Sequence, residues 1–553
     1  MQRQTIDFCD VAKAKQAARE ALIPAEWRLE PEQLHRLSHA PIEAFEASGG
    51  LLTPRELLIT SSSAQVLLSH LHATAQEERW TAVEVTRAFC KRASLAHQLT
   101  NCLTEIFFDD ALRRAAELDA YMAQHGQPAG PLAGLPISLK DCFNVGGYDS
   151  TLGFVAWAND AQPADSALVG ILRRAGAVLY CKTNVPTAMM IAESVNNVWG
   201  RTFSPHNVTM TSGGSSGGES ALLAMRGSPL GVGTDIGGSI RIPAALCGLY
   251  GLKPSFGRFP TFGARSGMAG QESINSINGP MSADLESLSI FARAVVGAEP
   301  WRIDPKCVPI PWRSVTDLPS TGLVFGVLFD DGRVHPTPPV TRALHVVIDA
   351  LKAQGHTVIE WENKEELSFA HDLTQQFFTA DGREGISGIM EHGGEADKWI
   401  EGLGPVVQKK SIHELWQVQA KRTQWAAKVL QRWQSIKGPN GRAMDALLSP
   451  ATPHAGAENG KFGKHVGYTS AWNLMDYPGV TFPVVKADKH LDSGPRPDSF
   501  YHQDDELIWQ NYSADKVHGL PTSLQLVGER LQEEKLLAIL ERVVDALPAW
   551  NNK

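Results

Sequence analysis

The first 78 residues have apolar positions at helical spacing. Residues 12–20 are rich in helix formers, and "SAQVLLSHLHATA" repeats apolar positions three and four residues apart. Pro54 opens "TPRELLIT", where a proline suits the first turn of a helix. The pattern predicts a helical N-terminal segment, residues 1–78, that packs on the outside of the main body.

Two further helices follow before the pattern changes. "WTAVEVTRAFCKRAS" offers Thr81 and Glu84 as a capping box, and "DDALRRAAELDAYMAQHG" ends at Gly126. From "LPISLKD" onward short apolar runs alternate with helices, and "GLVFGVLF", "PPVTRALHVVIDALKAQG" and "HTVIEWE" are typical of a strand, a helix and a strand. We interpret 79–553 as one α/β domain and its polar, Trp-containing stretch 363–445 as a helical insertion.

Composition and charge exclude several classes of protein. The chain has 553 residues, of which 43% are hydrophobic and 20% charged, as in ordinary globular proteins. A formal net charge of -9 and the lack of a long Lys/Arg run give no attraction for nucleic acid. We find no apolar run of 18 residues and no secretory h-region, so we expect neither a membrane span nor a signal peptide.

The cysteines and histidines give no sign of a metal site. Seven scattered cysteines contain no C-x-x-C pair, and the 18 histidines show no H-E-x-x-H pattern. A disulfide framework is not indicated either, which favours a cytoplasmic location. We therefore predict no metal and no organic cofactor.

Two glycine-rich stretches surround three serines. "TSGGSSGGES" holds Ser215 and Ser216, and its G-x-S-x-G pattern is that of a nucleophile elbow, which would make Ser215 the nucleophile of an α/β-hydrolase esterase. The weak strand "NVTM" before it disfavours that interpretation, because an elbow normally follows a strong buried strand.

The second stretch, "GTDIGGSIRIP", leads into Ser239 through residues without bulky side chains. Backbone N–H groups there can converge on one point, as in an oxyanion hole. The stretch lacks the G-K-[ST] ending of a nucleotide-binding P-loop. Asp235 and Arg241 flank it, and an ion pair that braces the loop is favoured over a substrate contact for Arg241.

Lys140 ends the apolar run "LPISLKD", which is a costly place for an ammonium group unless the side chain reaches water or is used in chemistry. A lysine at this point, followed by "GGSSGG" and then "DIGGSIR", resembles the ordered pattern of the amidase signature family. "KTNVP" and the late "GLPTSLQLVG" extend the resemblance over about residues 80–545. The lead-in and "GAEPWRIDPK" are also similar to general acetamidases of filamentous fungi.

The resemblance implies an α/β/α sandwich in which a large central mixed β-sheet is covered by many helices. It also implies a Ser-cisSer-Lys triad, with Ser239 as the nucleophile, Ser215 as a bridging serine in a cis peptide that also contacts substrate, and Lys140 as the general base. Ser216 matches a supporting serine. Met189 matches a segment that lines the acyl pocket.

The oxyanion hole that the resemblance implies is built from backbone donors of four residues: Ile236, Gly237, Gly238 and Ser239. The implied activity is hydrolysis of a small-molecule carboxylic amide to an acid and ammonia or an amine through an acyl-enzyme. The chemistry agrees, because a serine needs a base and a lysine is a base only when burial lowers its pKa.

Three alternatives are kept open. A glutamine-dependent amidotransferase-type subunit belongs to the same family and would need stable partner proteins. An α/β-hydrolase esterase would use Ser215, and a catalytically idle binding protein is disfavoured because no triad residue is missing. The sequence leaves the acyl group, the amine and the oligomeric state open, and a homodimer is compatible with it.

Overall fold

One large mixed β-sheet forms the centre of the molecule. The structure is a computed structural model that describes residues 8–75, 77–362, 364–395, 407–439 and 441–548. In these ranges the strands are β1 (Leu103–Ile106), β2 (Pro136–Lys140), β3 (Val178–Thr183), β4 (Val195–Asn196), β5 (Gly200–Arg201), β6 (Gly231–Asp235), β7 (Tyr250–Lys253), β8 (Ile277–Ser282), β9 (Val324–Val327), β10 (Thr357–Glu360), β11 (Ala446–Pro450), β12 (Gly479–Lys486) and β13 (Pro521–Val527).

Helices cover this sheet. They are α1 (Phe8–Ala21), α2 (Pro31–Leu37), α3 (Pro41–Ser48), α4 (Pro54–Ser61), α5 (Ala64–Leu71), α6 (Ala82–Thr100), α7 (Phe108–His125), α8 (Ala167–Arg174), α9 (Gly217–Ala224), α10 (Arg241–Leu246), α11 (Leu285–Gly297), α12 (Pro338–Ala353), α13 (Lys364–Phe378), α14 (Glu384–Gly393), α15 (Ile412–Ser435), α16 (Gly467–Leu474), α17 (Gln503–Asn511), α18 (Ala514–Val517) and α19 (Glu533–Ala546). Short 3₁₀ turns occur at Ala25–Trp27, Val155–Trp157, Thr187–Met189 and Pro300–Arg302. The predicted α/β class, with a large central mixed sheet covered by helices, is confirmed.

Eleven strands form the main sheet in the order β1-β3-β2-β6-β8-β7-β12-β13-β11-β9-β10. β2 runs parallel to both of its neighbours, β3 and β6, and β9 runs parallel to β10 and β11. The remaining pairs in the sheet are antiparallel. Because β2 and β6 are parallel neighbours, their carboxyl ends lie side by side, which is where open α/β sheets bind ligands.

Local signals explain where the first helices begin and end. Pro54 is the first residue of α4, and the hydroxyl of Thr81 accepts from the backbone N–H of Glu84 at the start of α6. The Glu84 carboxylate does not complete the predicted capping box, because it accepts two hydrogen bonds from the Arg55 guanidinium instead. Gly126 ends α7 at φ 68, a conformation that glycine adopts without strain.

Helices lie in both segments that the sequence predicts to be helical, residues 1–78 and the stretch 363–445. α1–α5 precede residue 78, and Lys15 of α1 forms ion pairs with Glu105 and Asp149 of the body. α13, α14 and α15 fall within 363–445. α13 packs on both α15 and α16 around a core that includes Trp361, Trp433 and Trp472, so these helices are joined to the body rather than separate from it.

Among the described residues, no helix is long and apolar enough to cross a membrane.

Candidate active site

Lys140 is the last residue of β2 and its side chain is completely buried. Its Nζ lies 2.8 Å from Ser215 Oγ, 2.7 Å from Thr234 Oγ1 and 3.4 Å from the Thr234 carbonyl oxygen. Burial lowers the pKa of Lys140 to about 8, because the charged ammonium loses its hydration. The structure thus places a lysine that is neutral at mildly alkaline pH against a serine hydroxyl.

Ser215 and Ser216 stand directly before α9, and the Gly214–Ser215 peptide bond is cis. Both serines are buried. The Ser216 N–H donates to the carbonyl oxygen of Ser239 over 3.1 Å, and the Ser216 hydroxyl lies 3.4 Å from the Thr234 carbonyl oxygen. Ser216 therefore joins the two glycine-rich segments, and the supporting role that the family resemblance implies for it stays a prediction.

Ser239 lies between β6 and α10 and is only partly buried, in contrast to Ser215. It lines a cavity together with Gly214, Ile236 and Gly237. The more accessible of the two serines thus lines the space available to a substrate, whereas Ser215 is buried against Lys140.

The predicted oxyanion donors are not equivalent. The Gly238 N–H donates to Asp235 Oδ1 over 2.8 Å and is therefore already engaged within the protein. The N–H groups of Ile236, Gly237 and Ser239 have no hydrogen-bond acceptor in the part of the chain that the structure describes. These three N–H groups remain available for an oxyanion. The set of donors that the family resemblance implies also includes Gly238.

Asp235 and Arg241 form a buried ion pair, as the sequence favours. Two nitrogens of the guanidinium each lie 3.0 Å from a carboxylate oxygen, and both side chains are fully buried. Burial raises the pKa of Asp235, but the Arg241 charge and hydrogen bonds from Arg241 and Asn473 outweigh it and hold that pKa well below its usual range. The Arg241 guanidinium also donates to Asn473 and Gln525, so the pair braces the loop against α16 and β13.

Sequence reasoning missed several residues that hold this loop. Asn473, Gln525 and Thr469 lie more than 200 positions from Ser239 along the chain. The Thr469 hydroxyl donates to the Gly237 carbonyl oxygen over 2.6 Å, and a Cβ on Gly238, at φ +135, would lie 2.3 Å from that hydroxyl. Among the supporting residues, only Thr234 can be recognised as a candidate from the sequence, because it directly precedes Asp235 in "GTDIGG".

Two small cavities share walls at this site; the one that Ser239 lines is here called the inner cavity and its neighbour the outer cavity. The inner one has a volume of about 50 Å³, and its apolar walls include Met189, Ile236, Ile242, Phe378 and Val466. The outer one, of about 80 Å³, shares Phe378 and Val466 with it and adds Gln375, Arg383 and Lys464. Met189 thus lines the space next to Ser239, and helices α13 and α14 supply part of the entrance.

A larger open groove of about 710 Å³ lies elsewhere, with Leu68, Ile171 and Arg293 among its walls. It contains none of Lys140, Ser215 and Ser239, so size alone does not identify the site. The described residues also contain no group of three or more His, Cys, Asp or Glu side chains that can hold a metal ion.

The elbow alternative requires a histidine beside Ser215. In the described part of the chain the side chain that hydrogen-bonds to Ser215 Oγ is Lys140, and no histidine does so. Residues 207–210, the "NVTM" segment, form a turn with one isolated bridge at Met210 rather than a buried strand. The geometry therefore does not support an α/β-hydrolase elbow.

Comparison with known proteins agrees with this fold and site. A family model described as Amidase matches residues 84–537. The acetamidase of Emericella nidulans is 40% identical over 542 residues, covering 97% of each chain, and the acetamidase of Aspergillus oryzae is 38% identical over 546 residues, covering 97% of this chain and 98% of the other. A solved fatty acid amide hydrolase is 32% identical and superposes with a TM-score of 0.91, covering 98% of this chain and 95% of that one.

The fold and the site define an amide hydrolase. The chain belongs to the amidase family.

Proposed function

We propose that the protein hydrolyses carboxylic acid amides through an acyl-enzyme on Ser239, with Ser215 relaying a proton between Ser239 and Lys140. The observation that carries the proposal is the 2.8 Å contact between Lys140 Nζ and the buried Ser215 hydroxyl, beside the cavity that Ser239 lines. No described contact favours an amidotransferase role.

In the first half of the reaction, Ser239 Oγ attacks the carbonyl carbon of the amide. Its proton passes to Ser215 Oγ, and the Ser215 proton passes to neutral Lys140. The N–H groups of Ile236, Gly237 and Ser239 stabilise the resulting oxyanion. The proton then returns from Lys140 through Ser215 to the nitrogen as the C–N bond breaks, which releases ammonia or an amine.

In the second half, water attacks the ester carbonyl of acylated Ser239. Ser215 and Lys140 take the water proton by the same route, and the Ser239 oxygen recovers a proton as the acid leaves. Serine, lysine and backbone groups supply every proton and every charge-stabilising contact, so we propose a reaction without metal or cofactor.

Thr234 supports this assignment by orienting Lys140. A neutral amine has two hydrogens and one lone pair, whereas the ammonium has three hydrogens and none. If the two hydrogens of neutral Lys140 point to Thr234 Oγ1 and the Thr234 carbonyl oxygen, 2.7 and 3.4 Å away, the lone pair faces Ser215. Lys140 is then ready to accept the Ser215 proton.

Short aliphatic acyl groups fit the inner cavity best. Its volume of about 50 Å³ is a few times the roughly 10 to 15 Å³ that one water needs by the same measure, so it has room for only a few heavy atoms. Phe378 contributes a wall to both cavities. The two fungal relatives described as acetamidases support the same substrate class.

The test is ammonia release from amides graded in acyl length, from acetamide to octanamide, alongside the esters of the same acids. We expect the highest kcat/KM with two to four carbons and loss of all turnover in Ser239→Ala. A matched control is Ser228→Ala, which removes a buried hydroxyl bonded to the Leu230 carbonyl oxygen. Full amide turnover in Ser239→Ala would contradict the proposal, and a preference for octanamide would contradict the substrate class.

A further inference from the structure

Glu219 is a completely buried carboxyl group that the proposed mechanism does not use. It lies in the first turn of α9, the helix that begins directly after Ser215 and Ser216. It forms no ion pair with any residue that the structure describes; its two oxygens accept hydrogen bonds from the hydroxyls of Ser138 and Thr183. A buried carboxyl without a direct cationic partner is costly and marks a candidate functional position.

The two hydroxyls place Glu219 next to the general base. Ser138 lies two residues before Lys140 on β2, and alternate residues of a strand share a face. Thr183 on β3 is the residue paired with Lys140 in the parallel ladder, and its hydroxyl is 2.6 Å from a Glu219 oxygen. Glu219 thus connects α9, which begins after Ser215 and Ser216, to β2, the strand that ends in Lys140, and to the neighbouring β3.

The fit around the carboxyl is tight. A Cβ on Gly231, the first residue of β6, would lie 1.8 Å from Glu219 Oε1. The strand that carries Thr234 therefore also closes over this carboxyl. Glu219 thus lies against β2, β3 and β6, the strands around Lys140.

The charges around Glu219 single out Lys140. Burial raises the pKa of Glu219 to about 7, hydrogen bonds from Ser138 and Thr183 lower it less, and the charge of Lys140 also favours the ionised form. For Lys140 itself, burial lowers the pKa, and negative charges at Cys142, Asp235 and, least of the three, Glu219 would raise it.

Among the other titratable groups near the pair, Asp235 also raises the pKa of Lys140. Burial raises the pKa of Cys102 to about 12, of Cys142 to about 11, and of Tyr180 and Cys181 well above their usual values, so all four stay neutral. Asp235 is paired with Arg241.

We propose that Glu219 is a positioning residue for Lys140, whose carboxyl holds β2, β3 and α9 around the lysine. The inference rests on the proposed role of Lys140 as the general base. Ionised Glu219 stabilises the ammonium form, so it moves the active, neutral form of Lys140 to higher pH.

The test is the pH profile of kcat/KM in Glu219→Gln. Glutamine keeps the size but has no charge, and its amide has one acceptor and one donor group where the carboxylate has two acceptors. We expect the rising limb to move to lower pH by about 1 unit, the low end of the effect of one nearby opposite charge. Thr183→Val should move it in the same direction, because loss of a donor to the carboxylate disfavours the ionised form of Glu219.

Glu533→Gln is the matched control, because Glu533 is also fully buried but pairs with Arg258 and the Ser255 N–H. It should leave the limb in place. If the role of Glu219 is purely structural, Glu219→Gln should lower the melting temperature without moving the rising limb. A rising limb within about 0.2 pH units of wild type in both Glu219→Gln and Thr183→Val would overturn the inference. If instead the limb survives in Lys140→Ala, the proposed function itself fails.

Discussion

Replacement of Lys140 by methionine tests the base directly. Methionine keeps an unbranched side chain of similar length in the buried site but cannot take a proton. Loss of acid–base assistance should lower kcat/KM by about 10² to 10⁴. The rising limb of the pH profile should vanish in the same variant, because no other group takes over the titration.

The position of that limb follows from burial. At pH 7 a group with a pKa of about 8 is neutral in about one molecule in ten, whereas at the ordinary value of 10.5 it is neutral in about one in 3,000. Burial therefore increases the active form about 300-fold at neutral pH. Because the neutral amine is the active form, kcat/KM of the wild type should rise about tenfold per pH unit below 8 and level off above it.

The assay is ammonia release at pH 6 to 10 with substrate well below KM. Lys253→Met is the matched control, because Lys253 is also fully buried and burial lowers its pKa to about 8. The Nζ of Lys253 donates to the Tyr477 carbonyl oxygen rather than to a serine. We expect Lys253→Met to keep the limb even if it lowers the melting temperature. A wild-type limb in Lys140→Met would refute the reasoning, and so would a limb lost only in Lys253→Met.

Three further outcomes follow from the site. Phe378→Ala should join the inner and outer cavities and raise kcat/KM for hexanamide relative to acetamide by about tenfold. Gln375→Ala, which opens only the outer cavity, should leave that ratio unchanged. The same hexanamide-to-acetamide ratio in both variants would contradict the role of Phe378. Asp235→Asn leaves the Arg241 charge buried without its partner and should lower the free energy of unfolding by about 3 to 5 kcal/mol in denaturant titrations; an unchanged midpoint would contradict it. Dialysis against a chelator should leave turnover unchanged, and a loss restored by one added metal would contradict the metal-free mechanism.

The sequence predicts the reacting residues of the site better than the residues that hold them in place. Lys140 is noticeable as a lysine at the end of an apolar strand and Ser239 as a serine after two glycines, but their roles are predicted from the resemblance to the amidase signature family. The ion pair of Asp235 with Arg241 is also local, since six positions separate them. These predictions need no knowledge of how distant segments meet.

The missed residues depend on long-range packing. Asn473 and Gln525 reach the loop only because α16 and β13 lie against it, and nothing in their own neighbourhoods indicates a contact with Arg241. Gly238 shows the opposite error: its small size suggests an open donor, but the folded loop turns its N–H towards Asp235. Backbone direction in an irregular loop cannot be obtained from residue type alone.

The central claim is that Ser239, and not Ser215, carries the acyl group. The most direct measurement is labelling with a fluorophosphonate followed by peptide mapping in the wild type and in Ser215→Ala. We predict an adduct on Ser239 in both proteins, formed about 10² to 10⁴ times more slowly in Ser215→Ala, because that variant keeps the backbone donors but loses the proton relay. An adduct on Ser215 in the wild type, with Ser239 unmodified, would contradict the account.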